Sequence, residues 1–322
     1  MRSAIKLALA LGLGVAVLAA LLLRFDMGVV WGALARVGIG GFLLIVAAGL
    51  AAEIVLAAGL VPLLPARPSL TVIFATRQLR DSASDVLPIT QLGGLVLSVR
   101  VLALAGMDAT AASASVIADI TAETFAQGLY VLTGVLASLS LLSADASLSP
   151  YIWAMLGGAV FMAAGAMGFA LVQLTGGHWV DRITQKLFGV RTDSKGFHAA
   201  IHAIYRRRGR MALSLLLQFL GWVGSGLWLW VVMRVMGLTQ DLWVAIAIQA
   251  LVEGLRSATL FIPAAIGVQE AGYAALAPVF GFAPELGLAI SLLRRARDLV
   301  VAVPVLILWH LIETRCALRP PA

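Results

Sequence analysis

The chain has 322 residues, 61% of them hydrophobic and only 12% charged, with a net charge of +7 and a mean hydropathy of +1.00. A soluble domain carries about 25% charged residues, so this composition excludes a soluble globular domain and describes an integral membrane protein. The positive charge is concentrated in one loop, which marks membrane topology rather than a nucleic-acid partner. The single cysteine, Cys316, excludes an intramolecular disulfide and argues against a cysteine metal cluster.

A helix crosses the hydrocarbon core with about 20 apolar residues. Residues 4–23 form the first such stretch. Met1-Arg2-Ser3-Ala4-Ile5-Lys6 ahead of an apolar run to Leu23 has the outline of a signal peptide, but no small-residue cleavage site precedes Arg24, so an uncleaved first span is expected. Residues 39–61 form the second span. Residues 70–104 have room for two short helices and are broken by Pro88, Gly93 and Gly94. Residues 111–142 are apolar but too long for one simple span, with their first turns at the interface. The loop 143–149 holds Asp145 and no Lys or Arg. A span at 150–174 follows. The loop 175–210 then carries Arg182, Lys186, Arg191, Lys195, Arg206, Arg207, Arg208 and Arg210 against only Asp181 and Asp193. Residues 211–235 form a span, residues 242–281 are again long enough for two short helices and are broken by Pro263, Gly267 and Gly272, and residues 285–310 form the last span.

Lys and Arg set sidedness. The loop 175–210 belongs in the cytoplasm, where its amphipathic, basic part from residue 178 would also suit an anionic lipid surface. Arg2 and Lys6 place the N-terminus inside, and Arg315 and Arg319 favour an inside C-terminus. Parity is then met if each broken stretch enters and leaves on one side, turning near Pro88 or Pro263. It is equally met if each stretch crosses twice. The charge beside each Pro, at matched positions in the two halves, favours re-entry. The expected architecture is an all-α polytopic membrane protein with about six full transmembrane helices plus two oppositely oriented re-entrant helical hairpins forming an inverted repeat. The whole of 1–322 is one membrane domain: 1–38 is the first span and loop, 39–142 the first repeat, 143–210 a linking span and basic loop, and 211–322 the second repeat.

The two broken segments share a pattern. Leu79-Arg80-Asp81 and Leu255-Arg256-Ser257 are each followed by Pro, then Gln (Gln91, Gln269), then small residues. Paired Pro/Gly-interrupted segments are the best sequence pointer to a translocation site built between repeats. Ionisable residues accompany them: Arg80, Asp81 and Asp85 in the first, Glu253, Arg256 and Glu270 in the second. In 111–142, Asp119, Glu123 and Gln127 share one helix face. In 285–310, Arg294 and Asp298 do the same, with Arg295 and Arg297 alongside. The inverted repeat makes the acidic face of 111–142 and the basic face of 285–310 counterparts, expected to approach one another. A charge at mid-membrane costs roughly 2.5–3.5 kcal/mol on insertion scales, so these groups line a polar cavity or form buried ion pairs that hold helices in register. Glu53, alone in an apolar span, carries less weight. The tryptophans at 179, 222, 228, 230, 243 and 309 fit interfacial anchors. His198 and His202 have ligand-like i, i+4 spacing but no third ligand nearby, so no metal or other cofactor is expected. No catalytic motif is present, and the chain is not expected to be an enzyme.

The stretches Arg80-Asp81-…-Pro88-…-Gln91-x-Gly93-Gly94, Asp119-…-Glu123, Ile262-Pro263-…-Gly267-Val268-Gln269-Glu270-Ala271-Gly272 and Arg294-Arg295-x-Arg297-Asp298 resemble the lysylphosphatidylglycerol synthase transmembrane family of flippase-like membrane proteins. Within it the chain looks most like the subfamily associated with hopanoid biosynthesis. The resemblance implies translocation of a lipid between leaflets of the bacterial inner membrane. A similar membrane domain elsewhere in the family is joined to a soluble synthase that aminoacylates the lipid. No soluble domain is visible here, which sets an aminoacylated lipid aside as the expected substrate. Arg80, Arg256, Arg294 and Arg297 would then attract phosphate or hydroxyl groups. Asp85, Asp119, Glu123, Glu270 and Asp298 would balance those charges, bind an amine or carry protons, Gln91 and Gln269 would hydrogen-bond the headgroup, and Glu253 would line the same translocation site. The expected partners are a phospholipid or hopanoid and lipid-biosynthesis enzymes. A secondary transporter of a small polar solute, or an accessory subunit or enzyme of headgroup modification, fits the same residues.

Overall fold

Backbone polar groups that face lipid must be satisfied within their own segment, and all regular structure among the described residues is helical. A computed structural model describes residues 19–86, 91–142, 194–258 and 265–317, with isolated positions at 16, 164, 165 and 168. The turns at Pro88 and Pro263, the span at 150–174 and most of the span at 4–23 lie outside the described residues.

The first long helix, α1, runs Met27–Ala58 and is capped by Asp26, whose carboxylate accepts the Gly28 amide N–H at 2.7 Å. Its start is earlier than the expected 39, but Gly38 (φ 59, ψ 178) breaks the helix where the apolar pattern begins. A 3-10 turn at Val61–Leu63 leads to α2 (Leu70–Val86), α3 (Gln91–Leu104) and α4 (Ala109–Leu142). The amphipathic α5 (Ser194–Arg206) precedes α6 (Arg208–Val235), α7 (Leu242–Ala258), α8 (Val268–Val279) and α9 (Pro284–Ala317). Among the described residues, three stretches are long and apolar enough to cross a membrane: Met27–Leu63, Ala109–Leu141 and Arg208–Val235. Helix α9 is as long as α4, 34 residues or about 51 Å at 1.5 Å per residue, and its middle carries Arg294, Arg295, Arg297 and Asp298.

The halves repeat a length pattern. Helices α1 to α4 have 32, 17, 14 and 34 residues, and α6 to α9 have 28, 17, 12 and 34. Packing repeats it too. Helix α1 lies on α6, α2 on α9, and α7 on α4. The remaining contacts come in pairs: α4–α6 with α9–α1, α2–α3 with α7–α8, α3–α4 with α8–α9, and α6–α7 with α1–α2. Each contact maps onto its mate when α1–α4 are exchanged with α6–α9. Helix α5 has no counterpart in this scheme; it docks on α4 through buried Phe197 and Ile201 against Ala114.

Small residues bring the helices close, as expected where lipid offers no hydrophobic drive for association. Gly221 and Gly224 of α6 meet Leu56 and Ala52 of α1, and Gly134 of α4 meets Ala250 of α7. Outward faces remain apolar, with Leu43, Leu44, Leu216, Leu220, Ile307 and Leu308 exposed. Gly287 of α9 presses on the α8 backbone: a Cβ there would stand 2.3 Å from the Tyr273 carbonyl oxygen. Gly287→Ala is expected to force α8 and α9 apart and cost about 1–3 kcal/mol, read as a lowered thermal midpoint in detergent. Gly128→Ala, on α4 with nothing within 4 Å of the added Cβ, is expected to hold or raise that midpoint, since alanine favours helix.

Candidate functional site

Helix α2 carries charge on more than one face, because successive residues turn by about 100°. Arg77 and Arg80 reach α4. Arg80 Nη2 donates to Glu123 Oε2 at 2.7 Å, and its Nη1 donates to Asp119 Oδ2 at 3.4 Å. Arg77 Nε lies 2.5 Å from Asp81 Oδ2 and its Nη1 lies 2.7 Å from Glu123 Oε1. These are ion-pair contacts without aligned hydrogen bonds at either nitrogen. Asp81 also accepts from Arg80 Nε at 3.1 Å. From another face of α2, Gln78 donates to Glu53 of α1. Near its end, Asp85 accepts from Arg256 Nη2 of α7 at 3.1 Å. Gln218 of α6 donates to Asp119 Oδ1 at 2.7 Å.

Helix α7 presents Gln249, Glu253 and Arg256 as one stripe, spaced i, i+4, i+7. Glu253 Oε1 lies 2.6 Å from Arg294 Nη2 of α9 and accepts from Gln249 Nε2 at 3.0 Å, while Arg256 Nη1 lies 3.4 Å from its Oε2. The Tyr273 hydroxyl of α8 donates to Gln249 Oε1 at 2.5 Å and accepts from Arg294 Nη1 at 3.1 Å. Glu270 closes the start of α8: it accepts the Gly267 amide N–H at 2.8 Å and Arg295 Nε at 2.9 Å. Gly267 (φ 81) and Ala265 (φ 46) turn the chain into this helix in left-handed backbone, a region that only glycine enters without strain. Arg297 pairs with Glu53 and lies 3.2 Å from Asp298 Oδ1. Arg294 and Arg297 both stand over the Trp228 ring, at 5.9 and 5.4 Å from its centroid. Gly49 of α1 makes room for Arg297, whose Nη1 would be 2.8 Å from a Cβ there.

The result is a polar network over α1, α2, α4, α6, α7, α8 and α9, built of two groups that share helix α2 and one adjoining pair. Asp119, Glu123 and Arg80 belong to the first group, Arg256, Arg294, Arg297, Asp298, Glu253 and Asp85 to the second, and Glu270 pairs with Arg295 beside them. Gln269 is 0% exposed, and neither of its amide atoms has a hydrogen-bond partner among the described residues. The side chain of Gln91, at the start of α3, lies outside the described residues, as do Pro88 and Pro263. Gly93 and Gly94 stand in the first turn of α3, where a Cβ on Gly94 would be 2.6 Å from the Arg80 carbonyl oxygen. Gly272 occupies the matching place, with Leu255 of α7 at 3.1 Å.

Two expectations are corrected. The acidic face of α4 does not meet the basic face of α9. The short helices supply complementary charge first, Arg77 and Arg80 on α2 for Asp119 and Glu123, and Glu253 on α7 for Arg294. Trp228 is no interfacial anchor: it is 2% exposed, and its Nε1 donates to the Ile45 carbonyl at 3.1 Å. Glu53 is central, since it joins α1 to both α2 and α9. Sequence reading missed Arg77, Gln78, Gln218, Gln249, Tyr273 and Trp228. Arg77 was signalled by its i, i+4 spacing to Asp81, and Gln218 and Gln249 by standing as single amides in apolar helices. His198 and His202 bring their Nε2 atoms to 3.1 Å on α5, and no group of three or more metal-ligating side chains occurs among the described residues.

The halves match in position, and at two of three such positions in charge. Asp81 and Glu253 are each the twelfth residue of a 17-residue helix, counted from Leu70 and Leu242. Counted from Ala109 and Pro284, Glu123 and Asp298 are each the fifteenth residue of a 34-residue helix, whereas the eleventh is Asp119 in one and Arg294 in the other.

The lysylphosphatidylglycerol synthase TM region family matches this chain over residues 4–305, and the chain belongs to that family. No curated protein and no solved structure matches it.

Removing one partner of a buried ion pair strands the other charge, at about 3–5 kcal/mol. Arg294→Met, which takes the guanidinium from Glu253 and Tyr273, is expected to destabilise the folded protein by that order in a detergent denaturation series. Arg100→Met, in the exposed Arg100–Glu313 bridge (side chains 47% and 39% exposed), is expected to cost about 0–1 kcal/mol.

Proposed function

We propose that this member of the lysylphosphatidylglycerol synthase TM region family is a translocase that moves a polar or charged lipid between leaflets of the bacterial inner membrane. The observation that carries the reading is the Arg–carboxylate network at the junction of the two repeats, inside a chain whose outward faces are apolar. In this reading α2–α3 and α7–α8 are re-entrant hairpins of opposite orientation among six full crossings, with both termini and the loop 175–210 in the cytoplasm. The repeated length and contact pattern supports it.

The headgroup enters where the two hairpins meet. Asp85–Arg256 joins α2 to α7 there and is one of the more open pairs of the network, with side chains 27% and 19% exposed. A phosphate that displaces Asp85 from Arg256 exchanges one charge-assisted contact for another, so little free energy is needed to open the seam. Gln269 adds an amide with no partner among the described residues. The acyl tails remain against the apolar outer faces. The charged groups bind and screen; they do not react. A hopanoid-related lipid, delivered or consumed by lipid-biosynthesis enzymes, is the narrower form of the proposal.

The test is headgroup flipping in proteoliposomes, with labelled phosphatidylglycerol, phosphatidylethanolamine and a hopanoid analogue. Wild type is expected to flip at least one of them. The Asp85→Asn, Arg256→Gln double variant is expected to be about tenfold slower or worse, the loss of one ~1.4 kcal/mol transition-state contact. Arg100→Gln, outside the network, is expected to match wild type. Equal rates for wild type, double variant and empty liposomes would reject the reading, and uptake of a small polar solute by the same vesicles would replace it with solute transport.

A further inference from the structure

Two places in the largely buried network hold one carboxylate more than they hold guanidiniums; of these acids Asp81, 30% exposed, is the most open, and the other four are 8–14% exposed. At the first, Arg77 and Arg80 face Asp81, Asp119 and Glu123. At the second, Arg297 faces Glu53 and Asp298. The other three arginines face three acids: Arg256 lies against Asp85 and Glu253, Arg294 against Glu253 with Asp298 at 4.0 Å, and Arg295 against Glu270. Among the described residues, no other Lys or Arg lies within ion-pair distance of these five carboxylates. An uncompensated carboxylate in a low-dielectric interior costs several kcal/mol, and its ordinary resolution is to take a proton.

The first place has two further features. Gln218, 0% exposed, donates from Nε2 to Asp119, and its Oε1 has no partner among the described residues. Beside Asp119, a void of about 10 Å³ is bordered by Thr76, Arg77, Arg80 and Ser98. That is room for a single water molecule, a vehicle for a proton and far smaller than a lipid headgroup.

We propose that the network carries two exchangeable protons, one shared by Asp81, Asp119 and Glu123 and one shared by Glu53 and Asp298, and that lipid movement is coupled to the proton gradient. This rests on the translocase reading above. Each transfer moves a proton from water to a carboxylate oxygen on one side and returns it to water on the other; the guanidiniums stay charged. With one proton in each set the network is neutral. A further proton frees a guanidinium for an anionic headgroup, so proton and headgroup enter together.

The surroundings are defined from every packed helix. Around Asp119, α2 brings Arg77, Arg80 and Asp81, and α6 brings Gln218. Glu253 and Arg256 of α7 are committed to Arg294 and Asp85, and Arg100 of α3 to Glu313. Helix α5 adds Tyr205, which bonds Thr121 of α4, while His198 and His202 of α5 face one another. Around Glu53, α2 brings Gln78 and Asp81, and α9 brings Arg297 and Asp298.

The experiment joins two readouts on the full chain in vesicles of phosphatidylethanolamine and phosphatidylglycerol. Infrared difference spectra at neutral pH are expected to show carbonyl stretches of protonated carboxylic acids that shift in D2O, one lost in Asp119→Asn and another in Glu53→Gln, with the amide bands reporting that each variant is folded. With the membrane potential clamped, the steady leaflet ratio of labelled phosphatidylglycerol is expected to shift about tenfold per coupled proton for each unit of pH gradient. No protonated-acid band in wild type overturns the proposal, as does a leaflet ratio that follows a sodium gradient instead. Flipping that ignores the pH gradient overturns the coupling and leaves the translocase standing. Both bands present with no flipping of labelled phosphatidylglycerol or of the other probes overturns the translocase, and the coupling with it.

Discussion

A guanidinium inside an apolar protein must find its counter-charge within the reach of its own side chain, and that requirement fixes how these helices sit. Arg80 commits α2 to α4, Arg256 commits α7 to α2, Arg294 commits α9 to α7, and Arg297 commits α9 to α1. Such pairs add little net stability against a well-packed apolar core, but breaking one is expensive. The network therefore acts less as glue than as a register device: helices that slid by a turn would strand several charges at once. Glycines serve the same end by a different route. Gly49 leaves a path for Arg297, and Gly94 lets α3 approach the backbone of α2 behind Arg80.

Much of this was legible in the sequence, and the reasons are specific. Helix-breaking Pro and Gly inside apolar stretches separated α2 from α3 and α7 from α8, because those residues cannot extend a helix without cost. The i, i+4 spacing of Asp119 with Glu123 and of Arg294 with Asp298 put each pair on one face, and both pairs do point into the network. The partner of each charge was not legible. Spacing within a helix says which side chains share a face; it does not say which neighbouring helix arrives there first. That is why the acids of α4 were matched with the wrong arginines. Uncharged participants were harder still, since Gln218, Gln249 and Tyr273 look like isolated polar residues until three helices converge on them. Trp228 was misread because an indole in an apolar helix suits an interface as well as it suits the underside of two arginines.

The halves share lengths and contacts, and they part in charge at one matched position. Asp119 and Arg294 occupy the same position of matching helices and carry opposite charges. A duplicated scaffold can hold two arrangements of opposite sign only if each is closed by its own short helices, and here α2 contributes two arginines where α7 contributes the acid Glu253 and the amide Gln249, and α8 the phenol of Tyr273. The asymmetry gives the two sides of a shared seam different chemistry. One side is rich in carboxylates bound by arginines of the hairpin, and the other is rich in arginines bound by carboxylates of the hairpin.

Trp228 lies under Arg294 and Arg297 with its indole N–H tied to Ile45 of α1. Indole emission depends on nearby charge and on the polarity of its surroundings. The chain thus carries its own optical reporter at the centre of the network, fixed to α1 and α6 while it faces α9. Any rearrangement that draws the two arginines away and admits water would move the colour of that fluorescence, which replacing the other seven tryptophans would isolate without an attached label.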